Sequence, residues 1–261
     1  MGDEKNKMLG TVAELVKAVP VYQDLAQPAA REIGKNLETV AKATHMALAP
    51  LRGLIWTWDK FEDFIKAKVS RKLECTKEED IVTPDPKTVI PALEAVRYTS
   101  DDDIDLQEMY ASLIAKAMDK NTQEKTHPAY ASIIKSFSTD DALVIKYFKR
   151  YPNDSAVDML YYIKSGSNKF NIVTECMSCV ELNCKEIKDH ERILKSIKNF
   201  TRLGIIERSR QFANNESYTH EEEYCKNAAA LNGFDINKIK FERYSLKVTA
   251  FGKGFLDTVV S

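Results

Sequence analysis

The sequence predicts a mostly α-helical protein, with a helical N-terminal region followed by a winged-helix-like α/β C-terminal domain. Three observations carry this reading. Apolar residues recur at three- and four-residue spacing through most of the chain, as at Leu106, Met109, Tyr110, Leu113 and Ile114, which is the period of an amphipathic helix. Capping residues, prolines and glycines stand where those runs should start and stop. In the last third a helix, a glycine turn, a short β run, an alternating return run and a final helix follow one another. Three segments are expected: 1–75 with amphipathic helices, 76–165 helical, and 166–261 winged-helix-like.

The first stripe, Leu9, Val12, Ala13, Val16 and Val19, ends before Pro20. A longer stripe runs through Val40, Thr44, Ala47, Leu48, Leu51, Leu54, Ile55, Trp58, Phe61 and Ile65. Pro50 and Gly53 interrupt it, so a kink or helix–turn–helix is expected there. Residues 75–91 read as an irregular connector, because Pro84, Pro86 and Pro91 restrict the residues before them. A short helix over 92–98 and an acidic cap at 100–103 precede a helix over 104–118. After a polar loop at 121–126, His127-Pro128 opens a helix that runs through Phe137. Ser138 with Asp141 forms a capping-box start for a helix that ends before Pro152.

Residues 165–168, Ser-Gly-Ser-Asn, read as a linker. A helix over 187–203 closes at Gly204, a short strand follows at 205–207, and a polar insertion comes next. Residues 244–248 alternate as a strand, and Thr249 caps a final helix through Val260.

Composition bounds the function. With 44% hydrophobic and 30% charged residues, the 261-residue chain is an ordinary globular one. Its 38 basic and 39 acidic residues nearly cancel, so a nucleic-acid or membrane site would have to be a local patch. Five cysteines, an odd count, argue against a disulfide framework and for a reducing compartment. The first ten residues lack the apolar run of a signal peptide, and the expected location is the cytoplasm.

Three local patterns carry candidate chemistry. Cys176, Cys179, Cys184 and His190 are of ligand types that tetrahedral zinc accepts, and Cys176-x2-Cys179 is a tight pair. Only that first pair is tight, however, and free cysteine is also a common small core residue; no metal or cofactor is therefore inferred. Lys185, Lys188, Arg192, Lys195 and Arg202, with Lys198 nearby, place positive charge along the 187–203 helix, as nucleic-acid binding would require. Glu186, Asp189 and Glu191 interleave with them, and a solvated, salt-bridged face is the preferred account. Leu51, Ile55, Trp56 and Trp58 could form a membrane or partner surface if their helix lay on an interface. His45 and Arg52 break the apolar run, so it does not read as a transmembrane span, and a core helix is preferred. No phosphate-binding glycine loop, nucleophile elbow or HExxH motif occurs, and the four histidines are scattered.

Several stretches together resemble the Abi-alpha family, a bacterial domain named for abortive phage infection. They are VPVYQDLAQPAAREIGKNLETVAKATHMALAPLRGLIW (from Val19), VIPALEAVRYT (from Val89), LQEMYASLIAKAMD (from Leu106), HPAYASIIKSFSTDDALVIKYF (from His127), FTRLGIIERS (from Phe200) and YSLKVTAFGKGFL (from Tyr244). The resemblance implies an antiphage defence role and brings no catalytic residues with it. The expectation is a non-enzymatic defence protein acting through protein–protein contacts, with a partner or as a homo-oligomer. A winged-helix nucleic-acid-binding regulator and a membrane-acting effector are the alternatives. No small-molecule substrate is inferred.

Overall fold

The computed structural model describes residues 38–54, 59–100, 102–162, 170–178, 186–187, 189–210 and 218–260. Residues 38–48 form a helix (α1) that tightens into a 3-10 segment at Ala49–Leu54, where Pro50 was expected to bend the chain. A second helix (α2) runs through Asp59–Phe64, a π-helical turn at Ile65–Val69 and a last α turn at Ser70–Lys72. The helices α3 (Pro86–Val96), α4 (Ile104–Met118), α5 (Ala129–Lys135) and α6 (Thr139–Arg150) follow.

α3 begins earlier than the connector reading allowed. Asp85 caps it by accepting from the Lys87 amide at 3.0 Å, and Pro86 occupies the first turn, where a missing N–H is tolerated. Pro91 lies inside the helix on its exposed side. It forfeits one backbone bond there, while Val89, Ala92 and Leu93 are fully buried and hold the helix to the core. At α6 the capping box forms as expected. Ser138 Oγ accepts from the Asp141 amide at 3.2 Å, and Asp141 Oδ2 accepts from the Ser138 amide at 2.8 Å.

The C-terminal half is built on a four-stranded antiparallel sheet in the order β2-β1-β4-β3. Its strands are β1 (Asn153–Tyr162), β2 (Phe170–Ser178), β3 (Ile206–Ser209) and β4 (Ile239–Val248). α7 (His190–Arg202) precedes β3, α8 (Thr219–Leu231) lies between β3 and β4, and α9 (Ala250–Val259) ends the described chain. The expected linker at 165–168 lies outside the described residues, between β1 and β2. Neither of those strands was expected. Residues 154–160 of β1 are all buried, because the sheet is covered on both faces, so the period-2 alternation that betrays a strand is missing.

Residues from all three expected segments share one hydrophobic core, from Val40, Phe61 and Leu73 through Leu113 and Phe148 to Phe200 and Phe255. β1, placed in the middle segment, pairs along nearly its whole length with β4 of the last. At the centre, Phe255 packs on Tyr130 and Phe137 at ring distances of 5.3 and 5.7 Å, and Phe137 meets Phe200 at 5.3 Å.

The glycine turn and the last helix interlock. Gly204 takes φ +71, a left-handed conformation suited to a glycine after a helix. Thr249 Oγ1 donates to the Gly204 carbonyl at 2.6 Å and accepts from the Gly252 amide at 2.9 Å, capping α9. Gly252 lies against the Ile205 backbone, where a Cβ would come within 2.0 Å of the carbonyl oxygen.

Candidate functional site

The basic residues expected on α7 are mostly engaged. Arg192 forms a bidentate pair with Asp140 of α6, through Nε at 2.7 Å and a terminal nitrogen at 2.5 Å. That hydrogen bonding holds the guanidinium more firmly protonated than usual. Lys198 donates to Glu175 of β2 at 2.8 Å, which likewise raises its pKa. Arg202 donates to Asn199 on its own helix at 2.7 Å. Lys195 is exposed. Lys185 and Lys188 lie outside the described residues. The arrangement is a tethered, solvated face in which α7 is tied to α6 and β2, and phosphate would have to compete with the carboxylates already in place.

Leu51, a candidate for a membrane or partner surface had its helix lain on an interface, is only 3% exposed and belongs to the core, as the preferred reading had it. In the 3-10 segment that begins at Ala49, residues three apart share a face, so Leu51 follows the fully buried Leu48 inward. Ile55, Trp56 and Trp58 lie outside the described residues. Among the described residues no helix is long and apolar enough to cross a membrane.

Of the four candidate zinc ligands, Cys179 and Cys184 lie outside the described residues. His190 Nε2 is 2.9 Å from the Glu175 carbonyl oxygen, next to the buried Cys176. Among the described residues no group of three or more potential ligands converges on one point. Cys176 occupies a bulge in β2 with φ +57, opposite a register shift around Met159. A non-glycine residue there carries about 1–2 kcal/mol of strain. The bulge turns its amide toward the buried Asp158, which accepts at 2.9 Å.

Asp158 is the centre of a polar network that sequence reading missed. Its Oδ1 also accepts from the Tyr244 hydroxyl at 2.9 Å, and Oδ2 pairs with Arg208 at 3.0 Å. The Arg208 guanidinium lies 3.5 Å over the Tyr244 ring and also reaches Glu242. Burial, followed by the neighbouring Cys176 and Asp158, pushes the Tyr244 phenol far above its ordinary pKa, so it stays a hydrogen-bond donor. The network clamps all four strands together, and each charge in it is answered. No motif flagged it, because its members come from four strands far apart in sequence.

The segment between β3 and β4 carries three of the exposed large apolar side chains among the described residues. The inner side of α8 covers the second face of the sheet: Cys225 and Ala229, with Tyr218 just before the helix, pack on Val157, Met159 and Met177. Ser155 donates to Glu221 at 2.6 Å and Arg243 to Glu222 at 2.5 Å, fixing the helix in place. On the outside, Tyr224 and Leu231 lie seven residues apart, two helical turns, and are 52% and 89% exposed; Ile236, just beyond, is 47% exposed.

These features define a mostly helical protein with a small antiparallel sheet, in which a helix docked on the sheet turns Tyr224 and Leu231 to solvent. The chain belongs to the abortive infection alpha family, Abi_alpha, whose sequence profile matches residues 57–259. The stretch from Val19 to Trp56, which contributed to the resemblance seen in the sequence, lies outside that match. No curated protein matches the chain. A solved structure, that of an uncharacterized protein from the hydrocarbon-degrading marine bacterium Alcanivorax borkumensis SK2, is similar at 12% identity and a TM-score of 0.33. The likeness covers 54% of this chain and 96% of that one.

Proposed function

We propose that this chain is an antiphage protein of the abortive-infection kind that acts in the cytoplasm by binding another protein, or another copy of itself, rather than by catalysis. Family membership supports the first part of this reading. The observation that carries the second is α8. A segment that could have been a short hairpin loop is instead a helix docked on the sheet, with Tyr224 and Leu231 turned to solvent and Ile236 exposed in the turn that follows. Exposed aromatic and aliphatic side chains grouped on a rigid element are what a protein interface uses as its centre.

The test is phage plating and infected-cell survival for cells expressing the chain together with its flanking genes. Plaque numbers should fall with the wild type. A Tyr224→Lys, Leu231→Lys variant that melts at the wild-type temperature should lose the protection. Full protection by the folded variant would overturn the assignment to α8.

The strand order favours a second reading. β1, β4 and β3 lie side by side, and α7 leads into β3, the arrangement of a winged helix that reads nucleic acid. Against it, Arg192 and Lys198 already hold carboxylates, and the connection between β3 and β4 carries α8 packed on the sheet. Duplex DNA retention that rises steeply as salt is lowered, and that is lost in Lys195→Glu, would move this reading ahead of the first.

A further inference from the structure

Between α2, the C-terminal end of α3 and the start of α4 lies a cavity of about 570 Å³, within the range of small-ligand sites. Its floor includes Phe61, which is buried, and Val96; Phe64 and Tyr98 add ring surface, and Asp63 and Arg97 add charge. A second cavity of about 420 Å³, on the α5 side, shares Arg97 and Tyr98 with the first. Those two residues therefore form a ridge with open space on both sides. Tyr98 is 78% exposed, and its ring meets the Arg97 guanidinium at 5.8 Å.

The charges around the cavity are unevenly committed. Lys68 is paired with Glu108 at 2.9 Å. Arg97 and Asp63 have no ion-pair partner among the described residues. The uncommitted chemistry of the cavity is thus aromatic surface, one guanidinium and one carboxylate. Aromatic rings stack on nucleobases regardless of their identity. A guanidinium fork matches the oxygens of a phosphate, and a carboxylate accepts from base N–H groups.

We propose that this cavity binds a mononucleotide, with the base against Phe64 and Tyr98 and the phosphate at Arg97. A simple aromatic acid would leave Asp63 unused, and a bare anion would leave the rings unused. The site lies away from α8 and stands independently of the protein-contact reading.

The experiment is isothermal titration of the full-length chain with AMP, GMP, CMP and UMP, each alone, beside sodium phosphate and guanosine. At least one nucleotide should bind saturably with one site per chain, and more tightly than either phosphate or the nucleoside. Arg97→Ala and Tyr98→Ala, both at exposed positions, should each weaken that binding by about tenfold or more while leaving the melting temperature unchanged. No saturable binding of any of the four nucleotides would overturn the proposal. So would phosphate binding as tightly as the nucleotides, or affinity that survives both substitutions.

Discussion

Replacing Gly252 by alanine would place a Cβ 2.0 Å from the carbonyl oxygen of Ile205, 2.8 Å from its carbonyl carbon and 3.0 Å from its Cα. All three are backbone atoms at the turn that joins α7 to β3, held by the Thr249 hydroxyl and by the Ile205 amide bonded to the Phe200 carbonyl at 2.9 Å. Little there can yield without moving α9 off the core. Overpacking of this kind costs about 1–3 kcal/mol, and a backbone obstacle belongs at or beyond the upper end. Alanine recovers about 1 kcal/mol because it suits a helix better than glycine does. The net expectation is a loss of about 2 kcal/mol, or about 4–8 °C in melting temperature for a chain of this size. Gly254, two residues on, supplies the control. Its Cβ would meet only the Tyr130 hydroxyl at 2.8 Å, the far end of a side chain, so Gly254→Ala should stay within about 1 kcal/mol of wild type. Urea melts of the three proteins decide the matter. Gly252→Ala as stable as wild type, or Gly254→Ala the more damaging, would refute the close approach of α9 to the turn.

Two further outcomes follow from the sheet and from the end of α9. Tyr244→Phe removes one of the donors that satisfy the buried Asp158 and should lower the urea-derived stability by about 1–2 kcal/mol with an unchanged m-value; no change would show that the hydroxyl bond contributes nothing net. Lys149 donates to Asp257 at 2.6 Å and holds its carboxyl below the usual range. A carboxyl depressed in the folded state adds stability above its unfolded pKa of about 3.9 and loses it as the pH falls through the lower folded value. The difference in melting temperature between wild type and Lys149→Gln should therefore shrink as the pH drops below about 4. A difference that stays constant down to strongly acidic pH would sink this account.

What the sequence revealed of the fold is what is decided locally. Ser138 and Asp141, or Thr249 and Gly252, are three residues apart, so their hydrogen bonds are legible from spacing alone. β1 was illegible because burial on two faces erases alternation, and because Asp154, Ser155 and Asp158 sit in the run without marking it as loop. α8 was hidden by its glutamates, two of which are buried against the sheet rather than facing water. On the candidate surfaces, the interleaved signs along α7 suggested pairing with Glu186, Asp189 and Glu191, whereas its ion pairs reach other elements. Arg192 pairs with Asp140, 52 residues earlier in the chain, and Lys198 with Glu175. Leu51 followed the right stripe, but whether a stripe faces core or interface depends on what packs against it, and spacing does not carry that information.

The connection between β3 and β4 leaves the sheet and returns to it at one edge, with the pairs from Ile206↔Val248 to Ser209↔Ser245 closing its base. Lengthening a loop anchored in this way costs only about 0.6 kcal/mol per doubling. The residues that cover the sheet and those that face solvent lie on opposite sides of the one helix. Substitution of the outward residues of α8 therefore leaves the contacts that cover the sheet untouched. One face of this helix is held by the fold, while the other can change in character at little cost to it.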